Sequence, residues 1–161
     1  MLVPTHPGML TTLYRRLRAA EPHTALGAYT VSLEAVHHGP YTTTPSLFYE
    51  LGSGPEHWAD ADAARIMGDV LVAVLAGRIE RRSSFFAFGS NHYCAGFENH
   101  VSTMDFAGSC ARYALDEVSE HHLRWIADHY DTILLKTRSM GAHKRRIIGM
   151  LEEARIAYER V

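Results

Sequence analysis

The strongest constraint on how this chain can fold is an alternation of periods. Short apolar runs of strand character are separated by longer stretches of helical spacing, and the strand runs stop at Gly or at clusters of ionisable groups. Val31, Leu33 and Ala35 alternate with Ser32, Glu34 and Val36, the period of a strand, so a strand is expected over 28–36. Gly39-Pro40 stops it, since Pro cannot donate to a ladder. Further strands are expected over 46–51, 84–89, 105–110 and 132–136, with an edge strand over 156–161. Helices are expected over 9–20, 56–77, 116–129 and 141–154, with Asp116 or Ser119 as the N-cap of the third. The apolar stripe of 56–77 is wide, which predicts a helix packed hard on a sheet. Strands and helices in alternation imply one α/β sheet covered on both faces.

A chain of 161 residues suffices for one domain with a real core, and a single domain over 1–161 is expected. No apolar run approaches the roughly 18 residues that would span a bilayer, and the first residues lack the succession of a signal peptide. The expectation is a cytoplasmic protein without a membrane partner. The two cysteines, Cys94 and Cys110, suit a reducing compartment in which neither need be paired. With a net charge of -2, a nucleic acid would have to be met by a local basic face. One such face is the opening of the last helix, His143-Lys144-Arg145-Arg146, which opposes the helix dipole and suits an anion.

No short motif decides the chemistry. There is no Walker loop, no dinucleotide fingerprint, no nucleophile elbow and no Cys-x-x-Cys. What remains is a pattern of strand ends. Glu34, His37, His38, Glu50, His92 and Lys136 fall at or beside the carboxyl ends of expected strands, where ligands gather in open α/β sheets. Two chemistries fit such a set. Imidazoles with a carboxylate can bind zinc and activate water. Alternatively, one His acts as general base while Lys136 and backbone amides stabilise an oxyanion. Adjacent strand residues face opposite ways, so His37 and His38 share a metal only if the strand has already turned. Cys94 reads as a small buried residue rather than a nucleophile, and His121-His122 as surface.

Glu34-Ala35-Val36-His37-His38-Gly39-Pro40, then Pro45-Ser46-Leu47-Phe48-Tyr49-Glu50-Leu51-Gly52-Ser53 and Trp58, resembles the signature of the archaeal and plant D-aminoacyl-tRNA deacylases. Thr5-His6-Pro7-Gly8, Gly89-Ser90-Asn91-His92-Tyr93 and Arg112-Tyr113-Ala114-Leu115 resemble further segments of that family, in the same order. The resemblance implies a three-layer α/β/α sandwich with a mixed, mostly parallel sheet, related to the peptidyl-tRNA hydrolase fold. It implies cleavage of the ester between a D-amino acid and tRNA. It makes His37, His38, Glu50, His92 and Lys136 the catalytic candidates. Thr43, Thr44, Tyr93, Arg112, Lys144 and Arg145 become substrate-binding candidates, and zinc on His37, His38 and His92 the implied cofactor site. Two stretches depart from the family pattern, Gly108-Ser109 and the loop after Tyr93. The chain reads as a short, diverged member without the family's N-terminal portion, and the sheet or pocket so exposed would favour a homodimer or a partner chain. The alternatives are a hydrolase or acyl transferase using aminoacyl-tRNA in a specialised pathway, and a non-catalytic tRNA- or partner-binding module.

Overall fold

The computed structural model describes residues 2–21, 25–35, 39–52 and 54–161. In chain order its elements are α1 (Pro7–Ala20), α2 (Pro55–Trp58), α3 (Ala61–Ala76), β1 (Ser84–Ser90), β2 (Asp105–Ala111), α4 (Glu120–His129), β3 (Thr132–Leu135), α5 (His143–Glu153) and β4 (Glu159–Arg160). The strands lie in the order β2-β1-β3-β4, and all three pairings are parallel. Parallel neighbours need crossovers, and α4 and α5 supply two of them.

β1 is the centre of the molecule. Its seven residues are all buried, as a strand covered on both faces must be. Phe86 and Phe88 point to one side, where Ile133 and Leu135 of β3 meet Leu123 and Ile126 of α4 and Ile147 and Leu151 of α5. Phe85 and Ala87 point to the other, among Tyr14 of α1, Leu33, Phe97, Phe106 and Leu134. Helix, sheet and helix therefore form three layers.

α1 begins two residues earlier than its apolar period predicts. His6 caps it, Nδ1 accepting from the Met9 amide at 3.1 Å, and Pro7 fills the first turn, where its missing N–H is not needed. The helix also covers the outer edge of β2. There the buried Thr11 hydroxyl accepts from the Phe106 amide at 2.7 Å, doing for that amide what a neighbouring strand would do. Thr11→Val keeps the shape and removes the acceptor. It is expected to cost about 1–3 kcal/mol in urea unfolding, the penalty of a buried unpaired N–H.

The segment 56–77 is not one helix. It breaks at Ala59-Asp60 because Asp60 starts a new one, its carboxylate accepting from the Ala63 amide at 2.9 Å and the Tyr29 hydroxyl at 2.6 Å. Those two bonds hold the Asp60 carboxyl below the usual range, the amide contributing most. Nor does α3 pack on the sheet. It lies against α1, burying Ala63 and Met67 beside Leu17, and leaves Val72 and Leu75 about two-thirds exposed. The stripe is wide, but only its narrow edge is covered.

The expected strands over 28–36 and 46–51 are also corrected. Among the described residues neither joins the sheet: 25–28 is a 3-10 turn, and 30–35 and 45–50 run without a ladder. The alternation itself holds, for Leu33 and Ala35 are buried while Ser32 and Glu34 are exposed. Period two reports which side chains find a core; it does not report whether the backbone finds a partner. Here the segment is tied to the sheet's carboxyl edge by a bond from the Ala35 amide to the His92 carbonyl at 2.8 Å. Likewise the helix expected from 116 starts later. Arg112–Glu117 is 3-10, and Ser119 caps α4 with its amide donating to His122 Nδ1 at 3.3 Å, so His122 serves the cap while His121 is exposed. No helix among the described residues is long and apolar enough to cross a membrane.

Candidate active site

The carboxyl end of β1 runs directly into the loop 91–97. Four fixed points shape that loop. Asn91 Oδ1 accepts from the Ala95 amide at 2.8 Å, the Cys94 amide donates to the Asn91 carbonyl, Phe97 is fully buried, and Lys136 Nζ donates to the Ala95 carbonyl at 2.7 Å. Gly96 makes the last contact feasible. Its φ is +94°, and a Cβ there would lie 2.6 Å from Lys136 Nζ. Gly89 is required for a similar reason, with φ +86° and Met140 Cγ 2.8 Å from a would-be Cβ.

His92 stands at the tip of this construction with both ring nitrogens engaged. Nε2 is paired with the Glu34 carboxylate, and Nδ1 lies 3.0 Å from the Tyr113 hydroxyl. Glu34 is brought there by the tie between Ala35 and His92, and Tyr113 by the 3-10 turn that follows β2. That turn is clamped from α5, whose Arg146 guanidinium donates to the carbonyls of Leu115, Asp116 and Val118, the last at 2.6 Å. An ionised carboxylate can only accept, so a neutral imidazole here keeps its proton on Nε2 and turns its Nδ1 lone pair toward Tyr113. The sequence places carboxylate, imidazole and phenol far apart; the fold makes them one hydrogen-bonded chain. The His92 and Glu34 side chains keep 32% and 40% of their surface exposed, so water reaches the pair.

The other sequence candidates are placed as follows. His37 and His38 lie outside the described residues. Lys136 touches the His92 loop at Ala95. Tyr93 is exposed, its ring edge-on to His92 with centroids 5.0 Å apart. Glu50 is exposed, and among the described residues it makes no hydrogen bond or ion pair that joins it to this group. Thr43 and Thr44 are exposed in a turn closed by the Thr44 amide on Thr42 Oγ1 at 3.1 Å. Arg112 is exposed beside Tyr113, and Lys144 and Arg145 are exposed on the first turn of α5. Sequence reasoning notes Glu34 without giving it a role and takes Tyr113 only as part of a motif. The signal available is position: Glu34 lies near the end of a run stopped by Gly39, and Tyr113 lies just beyond the run 105–110.

Zinc finds no cage among the described donors. No group of three or more described His, Cys, Asp or Glu side chains could hold a metal ion, and both His92 nitrogens are occupied by protein partners. Of the three histidines that the resemblance offers to zinc, only His92 lies among the described residues.

Cys94 sits under the loop, fully buried, its Sγ 2.9 Å from Ser109 Oγ, which also accepts from Ser90 at 3.3 Å. Burial pushes its thiol up to about 11, and does the same to Cys110. The thiolate is the reactive form. At pH 8 both cysteines are therefore expected to resist iodoacetamide in the folded protein and to react within minutes in urea, as mass spectrometry would read. With folded values above the unfolded one, stability is full below about pH 9 and declines as the pH rises past it.

The molecule is thus a parallel α/β sandwich whose acid–base group stands at the carboxyl edge of its sheet. The chain belongs to the D-aminoacyl-tRNA deacylase family, whose model matches residues 1–159. It is 36% identical over 93 residues to the D-aminoacyl-tRNA deacylase of Methanoculleus marisnigri, an alignment covering 57% of this chain and 20% of that protein. Against the enzyme of that name from Arabidopsis thaliana it is 32% identical over 87 residues, covering 47% and 27%. Against that of Methanococcus maripaludis it is 28% identical over 149 residues, covering 88% and 58%. The chain therefore spans from a fifth to three-fifths of the length of these relatives. In fold it is similar to the crystal structure of a conserved protein of unknown function, with a TM-score of 0.83 at 22% identity over 99% of this chain and 58% of that one.

Proposed function

We propose that this chain hydrolyses the ester between a D-amino acid and the 3′ end of tRNA, with water as nucleophile and His92 as general base. The observation that carries this reading is the carboxylate–imidazole–hydroxyl chain of Glu34, His92 and Tyr113. Water takes the place of the Tyr113 hydroxyl at Nδ1 and loses a proton to it as its oxygen adds to the ester carbonyl. The carbonyl electron pair moves to oxygen, and the resulting imidazolium lies against Glu34, whose charge stabilises it. Collapse of the adduct expels the ribose oxygen, which takes the proton back from His92, leaving a free amino acid and a tRNA 3′ hydroxyl. The Lys136 ammonium, which reaches this loop from the end of β3 and donates to the Ala95 carbonyl, favours the transient oxyanion.

The test is release of labelled D-amino acid from D-aminoacyl-tRNA by the purified protein, with the L-aminoacyl-tRNA beside it, before and after dialysis against EDTA. Turnover of the D substrate that survives the chelator is the expected result. Loss restored by zinc alone would assign water activation to a metal, with His37 and His38 the histidines to examine. Binding of tRNA without turnover would leave a non-catalytic module.

A further inference from the structure

A second concave site opens beside the first. A cavity of about 510 Å³ is lined by Gly96, Lys136, Thr137, Arg138, Arg160 and Val161, at the carboxyl ends of β3 and β4. Three of these six residues carry cationic side chains and none carries an acidic one. The charge is unusual for where it lies, because the chain as a whole carries a net -2.

How those cations are held matters more than their number. Arg18, Arg65, Arg82 and Arg124 each pair with a carboxylate. Among the described residues Lys136, Arg138 and Arg160 do not. Lys136 is steered by a neutral carbonyl, with Gly96 leaving room for it. Arg160 donates to the Tyr158 hydroxyl at 3.0 Å and lies 5.6 Å from that ring's centroid. The Tyr158 hydroxyl in turn donates to Glu152 at 3.0 Å, so the acid stands one group removed. Glu98 accepts from the Gly96 amide at 2.6 Å and lines a separate hollow beside Tyr14 and Arg15. Two planar guanidinium forks and a point ammonium facing one hollow are what phosphate oxygens require.

We infer that this cavity holds a phosphodiester of the nucleic-acid strand whose 3′ end lies at His92. The inference rests on the deacylase reading for the identity of the strand. Gly96 lies four positions along the loop from His92, a reach of about 14 Å at most, so one short strand can occupy both sites. The two arginines at this distance bind the substrate through its backbone, and Lys136, which borders both sites, serves the ester beside the acid–base group.

The test needs no turnover. Affinity would be measured for the RNA trinucleotide CCA, for the same trinucleotide with uncharged methylphosphonate links, and for inorganic phosphate, on the wild type and on the Arg138→Gln/Arg160→Gln double variant. Both arginines are exposed, and circular dichroism checks that the variant is folded. The wild type is expected to prefer the charged trinucleotide at least fivefold, and the double variant to lose that preference. Its salt dependence for tRNA should be shallower by about 0.7 in log–log slope, for the one phosphate no longer neutralised. Equal affinity for the two trinucleotides, or a preference undiminished in the variant, overturns the proposal. Inorganic phosphate bound as well as the trinucleotide overturns the assignment to a strand. Failure to cleave D-aminoacyl-tRNA would refute the deacylase reading and leave these affinities to decide the cavity separately.

Discussion

Replacing His92 by alanine is expected to lower turnover of D-aminoacyl-tRNA by about 10²–10⁴-fold, the contribution of a positioned general base, while the unfolding midpoint in urea stays within a few per cent. The two readouts separate for a structural reason. Among the described residues the imidazole meets the exposed groups Glu34, Tyr113 and Tyr93, whereas the loop is held by backbone and by neighbours. The carbonyl of residue 92 still accepts from the Ala35 amide in the variant, and Lys136 still reaches the Ala95 carbonyl. Single-turnover assays at saturating enzyme would read the chemical step directly. A loss of less than tenfold would remove His92 from the role of base.

The largest effect on stability is expected at Phe85. Its side chain is fully buried in the middle of the sheet, with ring centroids 5.5 Å from Phe106, 5.9 Å from His100 and 6.5 Å from Phe97. Phe85→Ala removes the ring and leaves a cavity that strands on either side cannot close. The cost should be about 3–5 kcal/mol, a large share of the roughly 5–15 kcal/mol that holds a domain together. Equilibrium unfolding in urea measures it. A cost under about 1 kcal/mol would mean that the neighbouring rings collapse into the space. Phe97 ends the loop that carries His92, so the same variant should also bind substrate less well.

The half of the fold from β1 onward is legible in the sequence because its signals are strong and local. The Phe-rich run of β1, the apolar runs of β2 and β3 and the helix period of α5 each have one reading that satisfies burial. The N-terminal part is less legible. In 28–36 and 46–51 the pattern of inward and outward residues is real, but the outer edge of β2 is already taken by Thr11 of α1, and the chain there packs without pairing. The break before α3 has a local sign, Asp60 three residues ahead of Ala63, which the unbroken apolar stripe outweighs. At the site, His92 and Lys136 are readable from strand ends, as are the positions of His37 and His38, which lie outside the described residues. Glu34 and Tyr113 gain their meaning only from tertiary contact, and Arg138 and Arg160 look like ordinary surface charges until the cavity between them is seen.

The hydrogen bond from the Ala35 amide to the His92 carbonyl has a dynamic consequence. It lies outside the ladders of the sheet, and it joins the segment that carries the acid to the loop that carries the base. Such a tie can open in a sub-global fluctuation far cheaper than unfolding β1 or β3. When it opens, the pairing of Glu34 with His92 loses one of its backbone supports. On the proposed mechanism, the acid–base pair could then come apart while the core stays intact, so activity would answer to this one tie before it answered to the stability of the whole.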